Sequence, residues 1–178
     1  SRDIFGKHTA VAIPDLPSHL QVFTERVNVV WKVDVEEIIK RHTLAPIYFP
    51  FLNTQQSAQV IQSMYSEQGG SIHTRAGIAA SSVQKPECFR YCPQCYQEQK
   101  EILGEPYWNR LNQIAGVNVC IKHSCLLQTS DLPLHSTQKH LYKSASLISE
   151  VTESQSLEIT DIERQLISRF EALLTNPV

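Results

Sequence analysis

Cys92-Pro93-Gln94-Cys95, a gap of twenty-four residues, then Cys120-Ile121-Lys122-His123: two pairs of metal-binding side chains share one short spacing. Two intervening residues let both members of a pair point at one ion from a single turn. The longer gap lets the chain leave, form an element and come back. Three thiols and one imidazole fill a tetrahedral shell, so the spacing predicts one structural zinc held by Cys92, Cys95, Cys120 and His123. The chain has five cysteines. Using Cys125 instead of His123, or Cys88 instead of Cys92, would break the spacing on its side, so both are read as small apolar packing residues. A zinc ion of this kind contributes on the order of 10 kcal/mol or more to folding the lobe around it.

A catalytic zinc needs an open coordination position and a nearby general base. Glu98, Glu101 and Glu105 lie in the gap, yet none stands in an H-x-E arrangement beside C-x2-C. The sequence also has no phosphate-binding loop, nucleophile elbow or glycine-rich dinucleotide turn. A non-enzymatic protein is therefore expected, with a zinc-dependent hydrolase or deaminase as the alternative from another class.

Outward from the ligands, residues 85–127 read as a small zinc-finger lobe, with a short helix around Pro106 to Ile114 and a short strand at Val117 and Val119. Residues 1–84 read as helices joined by short loops. Leu16, Leu20, Phe23, Val27 and Trp31 recur at three- and four-residue spacing, and Trp31 is expected in the core. Asp34 is placed to cap a second helix with Val35, Ile38, Ile39 and His42 on one face. Ala45 to Phe51 holds two prolines and reads as an apolar connector. Thr54 opens a third helix that Gly69-Gly70 would stop, and a short helix follows around Ile72 to Ala80. Tight connections between such helices suit helix-turn-helix-like units. Residues 128–178 read as a linker and a C-terminal helical segment: Gln128 to Ser136 polar and irregular, Thr152 to Ser156 a loop, then a helix. Thr160 with Glu163 forms a capping box for that helix, and Ile162, Leu166, Ile167, Phe170, Leu173 and Leu174 form its apolar stripe. The fold class is mainly α, with helical units around a three-cysteine, one-histidine lobe.

Hydrophobic residues at 42% and charged residues at 19% describe a globular chain of 178 residues rather than a disordered one. A formal net charge of -2 gives no overall pull toward nucleic acid, so any such binding must come from a local patch. Lys85, Arg90, Lys100, Arg110 and Lys122 surround the ligands, interleaved with Tyr91, Tyr107 and Trp108, and four glutamates nearly cancel their charge. No apolar run is long enough to span a bilayer, and the cysteine usage fits a reducing cytoplasm. The opening Ser1-Arg2-Asp3, without an initiator methionine, is expected of a piece of a longer protein.

Phe89-Arg90-Tyr91-Cys92-Pro93-Gln94-Cys95, Gly104-Glu105-Pro106-Tyr107-Trp108-Asn109-Arg110 and Val119-Cys120-Ile121-Lys122-His123 together resemble the zinc motif of the TniQ/TnsD family. These are target-selection proteins of Tn-seven-like bacterial transposons. Upstream, Leu16-Pro17-Ser18-His19-Leu20, the run from His42 to Phe51, and Gly77-Ile78-Ala79-Ala80-Ser81 resemble the TnsD branch more than the CRISPR-associated branch. Ser124 departs from the family, in which a glycine commonly follows the histidine. The resemblance covers roughly residues 3–135.

What the resemblance implies is an adaptor that binds double-stranded DNA at a target site and recruits the AAA+ ATPase regulator TnsC, which licenses the transposase. An adaptor docking on an RNA-guided CRISPR effector is the related alternative. Cys92, Cys95, Cys120 and His123 take the ligand roles. Arg90, Arg110 and Lys122 are read as phosphate contacts from their place beside ligands and aromatics. The expected location is the bacterial cytoplasm, at the nucleoid.

Overall fold

The computed structural model describes residues 2–5, 13–66, 72–78, 82–134, 141–153 and 155–176. The chain divides into two compact units: Ser1–Ser82 with Ser136–Leu141 and Ala172–Val178, and Val83–His135 with Tyr142–Glu171. Among the described residues the fold is mainly α with two small two-stranded sheets.

The first unit is helical. After the short α1 (Arg2–Phe5) comes α2 (Leu20–Val27), entered through His19 in the left-handed region at φ 65°. Asp34 caps α3 (Val35–His42), its carboxylate accepting the Glu37 backbone N–H at 2.7 Å. Val35, Ile38 and Ile39, one face of that helix, are buried. The expected connector at Ala45 to Phe51 is instead helical: α4 (Ala45–Tyr48), then a 3-10 turn at Phe49–Phe51. Pro46 and Pro50 each sit in the first turn, where no backbone N–H is required and the fixed φ already suits a helix.

Asn53 caps α5 (Thr54–Tyr65) reciprocally: its side chain accepts from Gln56 N at 2.8 Å while the Gln56 side chain accepts from Asn53 N at 3.1 Å. α6 (Ile72–Arg75) is shorter than expected, and the Arg75 guanidinium donates to the Ser63 hydroxyl. Leu16, Leu20, Ile38, Val60, Met64 and Ile72 are packed together at the centre. Trp31 is not part of this core. It is 41% exposed and meets Phe23 and His42 edge-on, with ring centroids at 6.5 and 5.1 Å. Gly69-Gly70, Ala79 to Ser81, Ser136 and Ser154 lie outside the described residues.

In the second unit β1 (Cys88–Tyr91) leads directly into α7 (Pro93–Leu103), which ends at Gly104 in the left-handed region, φ 84°. Within the excursion the helix is one 3-10 turn, Leu111–Gln113, and Pro106 to Trp108 is irregular. The chain then forms the hairpin of β2 (Val119–Cys120) and β3 (Cys125–Leu126). Gln128 onward is not irregular: β4 (Gln128–Pro133) pairs antiparallel with β1, Arg90 opposite Thr129 and Tyr91 opposite Gln128. Backbone hydrogen bonds make this ladder, so it leaves no apolar alternation to read. Behind it the rings of Phe89 and Trp108 stack at 4.4 Å, and the indole N–H donates to Lys143 O at 2.8 Å.

A 3-10 turn at Ala145–Leu147 precedes α8 (Asp161–Thr175), which Thr160 and Glu163 cap as expected. Of its apolar stripe Ile167 and Leu174 are buried, whereas Ile162 is 80% exposed. No helix among the described residues is long and apolar enough to cross a membrane.

Candidate metal centre

Each ligand pair is set by a different local device. Cys92 is the N-cap of α7 and Pro93 opens the helix, so Cys92 and Cys95 both stand at its positive end. The Cys95 backbone N–H donates to Cys92 Sγ at 3.4 Å. The second pair belongs to the β2–β3 hairpin: Cys120 ends β2, and His123 lies in the turn before Cys125. Closing that turn puts Ser124 at φ 46°. Only glycine takes that conformation without steric penalty.

Cys92, Cys95, Cys120 and His123 each offer one ligand atom, all within 4.8 Å of one another. His123 turns Nδ1 inward, 3.4 Å from Cys92 Sγ, 3.3 Å from Cys95 Sγ and 3.7 Å from Cys120 Sγ. Cys95 Sγ and Cys120 Sγ are 3.8 Å apart. A tetrahedral zinc with bonds of about 2.3 Å to sulfur and 2.0–2.1 Å to nitrogen requires edges of about 3.8 Å (S to S) and 3.6 Å (S to N). The separations fit that shell. The donor set is soft to borderline, which suits zinc and disfavours magnesium or calcium.

Electrostatics point the same way. Hydrogen bonds from Cys92 and Cys95 hold Cys120 far below the ordinary thiol range. Bonding to Cys120 pushes Cys95 up to about 11, and hydrogen bonding with burial drives Cys92 higher still. Three crowded sulfurs cannot all ionise without a cation among them; a divalent ion removes that conflict. All five cysteines are free. Cys125 Sγ is 3.5 Å from Cys92 Sγ, but Cys125 stands outside the group of four and is buried at 1% exposure.

Behind His123, its Nε2 is 3.1 Å from Glu98 Oε1, and Lys122 Nζ pairs with the other carboxylate oxygen. Sequence reasoning considered Glu98 only as a general base. The available signal was its position three residues after Cys95 on one helix, which puts both on one face. Lys122 holds Glu98 below the usual carboxylate range, with His123 next in effect, and Glu98 raises Lys122.

The three basic residues differ in freedom. Arg90 donates to Ile114 O at 2.8 Å and Asn118 Oδ1 at 3.1 Å, and burial lowers its pKa. Its backbone is fixed too, through Gln113, whose side chain accepts from Arg90 N at 3.0 Å and donates to Arg90 O at 2.8 Å. Arg110 is half-buried, and burial lowers it likewise. The Lys122 side chain is 64% exposed. Among the aromatics, Tyr91 is buried and Trp108 is stacked, whereas Tyr107 stays 55% exposed.

A family model described as TniQ matches residues 2–127. Over 125 residues the chain is 34% identical to the Escherichia coli protein described as "Transposon Tn7 transposition protein TnsD"; the match covers 70% of this chain and 25% of that one. The chain thus spans about a quarter of that relative's length.

Proposed function

Because the chain belongs to the TniQ family across residues 2–127, we propose that it is a non-enzymatic target-site selector in DNA transposition. It binds double-stranded DNA at a chosen site and recruits an AAA+ ATPase of the TnsC kind, which in turn brings transposase subunits. The carrying observation is the 34% identity to a TnsD transposition protein, which also favours the TnsD branch over an adaptor for an RNA-guided CRISPR effector. The working location is the bacterial cytoplasm, at the nucleoid.

The metal in this reading is one structural zinc. Cys92, Cys95, Cys120 and His123 would hold it, and their three sulfurs and one nitrogen complete a four-coordinate shell. When bound, the ion supplies cross-linking between the start of α7 and the β2–β3 turn. The helices of the first unit, as helix-turn-helix-like units, and the metal lobe supply binding surfaces. Lys122, the most exposed of the three basic residues, meets a DNA phosphate. Arg90 contributes through the guanidinium N–H groups that Asn118 Oδ1 and Ile114 O leave over, and the half-buried Arg110 is the third phosphate contact.

Selection from a random duplex pool by the zinc-loaded chain tests this reading. A selected duplex should bind at least about tenfold tighter than its scrambled version, and Lys122→Ala should lower the slope of log affinity against log salt by about 0.9. Equal binding of selected and scrambled duplexes refutes sequence selection. An unchanged slope in Arg90→Ala, Arg110→Ala and Lys122→Ala refutes the phosphate assignments.

A further inference from the structure

We infer that Glu98 is a positioning residue of the metal centre: its carboxylate accepts a hydrogen bond from the Nε2–H of His123 and so holds Nδ1 toward the three sulfurs. This rests on the reading of the four ligands as a metal site. An imidazole that ligates through Nδ1 must carry its proton on Nε2, and the partner of that proton fixes both the tautomer and the ring plane. The geometry supplies such a partner. Nδ1 lies 3.3–3.7 Å from the sulfurs of Cys92, Cys95 and Cys120, while Nε2 lies 3.1 Å from Glu98 Oε1.

The carboxylate is itself anchored. α7 carries it three residues beyond Cys95, so one rigid element presents a ligand and the support of another. The second oxygen of Glu98 receives the Lys122 ammonium, which neighbours His123 in the turn. A single carboxylate therefore grips two consecutive residues of the C-I-K-H turn. The other acid on this helix whose contact is defined faces elsewhere: Glu101 accepts from Gln97 Nε2 at 2.8 Å.

The test is zinc(II) affinity by competition with a chromophoric chelator, for the full chain and three variants. Glu98→Ala should weaken zinc about 10–100-fold. Glu98→Gln keeps an oxygen acceptor without the charge and should fall between, and Glu101→Ala should match the unaltered chain. In the zinc-loaded protein the His123 Nε2–H should give a proton resonance slow to exchange with water, lost in Glu98→Ala and retained in Glu98→Gln. A loss of general stability would not produce that split. An affinity of Glu98→Ala within twofold of the unaltered chain, or a fast-exchanging Nε2–H in the unaltered chain, overturns the role of Glu98 while leaving the metal site standing. Failure of the unaltered chain to bind zinc overturns both.

Discussion

Between pH 8.0 and pH 7.0 zinc affinity is expected to fall about 100-fold, because binding must expel two protons. Without the ion, hydrogen bonds hold Cys120 as the thiolate, whereas Cys95 is pushed up to about 11 and Cys92 higher, so both keep their protons in this window. The metal-bound form carries fewer protons than the free form. By linkage its stability is therefore present at high pH and lost as pH falls. Two protons per ion give two decades per pH unit, or about 2.7 kcal/mol at about 1.36 kcal/mol per decade. Chelator competition at pH 7.0, 7.5 and 8.0, corrected for protonation of the chelator, reads the slope. Calorimetry in buffers of different ionisation enthalpy counts the released protons independently. A slope near three would refute the shared-proton account of Cys120, and a slope near zero would refute thiolate ligation.

Cys95→Ser should abolish the stoichiometric zinc, about one ion per chain, and unfold the lobe; elemental analysis and near-ultraviolet dichroism would reveal a folded, metal-free variant if the structural role is wrong. Met64 is fully buried at 0% exposure, so Met64→Ala should destabilise the first unit by about 2–5 kcal/mol in denaturant unfolding. Removing the α3 cap by Asp34→Ala should reduce stability by about 1 kcal/mol, and no change would mean that Glu37 N finds another acceptor. Ser124→Gly relieves the left-handed backbone at φ 46° and should stabilise the zinc-loaded protein by up to about 1 kcal/mol, after the entropy of a freer unfolded glycine is subtracted. A lower thermal midpoint would contradict that account.

Local rules that act on side chains were legible. The Asp34 and Thr160–Glu163 caps and the buried face of Val35, Ile38 and Ile39 follow from residue type and helical spacing. The convergence of Cys92, Cys95, Cys120 and His123 to within reach of one another was legible because the geometry of a single ion dictates spacing along the chain. What escaped was decided elsewhere. The β1–β4 ladder rests on backbone pairing between segments about forty residues apart, and Gln128-Thr129-Ser130-Asp131 shows no strand pattern. Ala45 to Phe51 was misread because prolines stop a helix in its interior yet suit its first turn. Trp31 satisfies the periodicity of α2 but lies beyond its last residue, where the face no longer points inward. Glu98 was overlooked as a support because its partner, His123, comes from the opposite side of the twenty-four-residue excursion.

The pairing of β1 with β4 has a consequence for the order of events at the ribosome. The ladder encloses both ligand pairs in sequence: Cys88–Tyr91 precedes Cys92, and Gln128–Pro133 follows His123. At a synthesis rate of roughly 5–20 residues per second, the nascent chain exposes His123 about half a second to two seconds before Pro133. An ion suited to Cys92, Cys95, Cys120 and His123 could therefore be captured during that interval, before β4 has fully emerged to pair with β1.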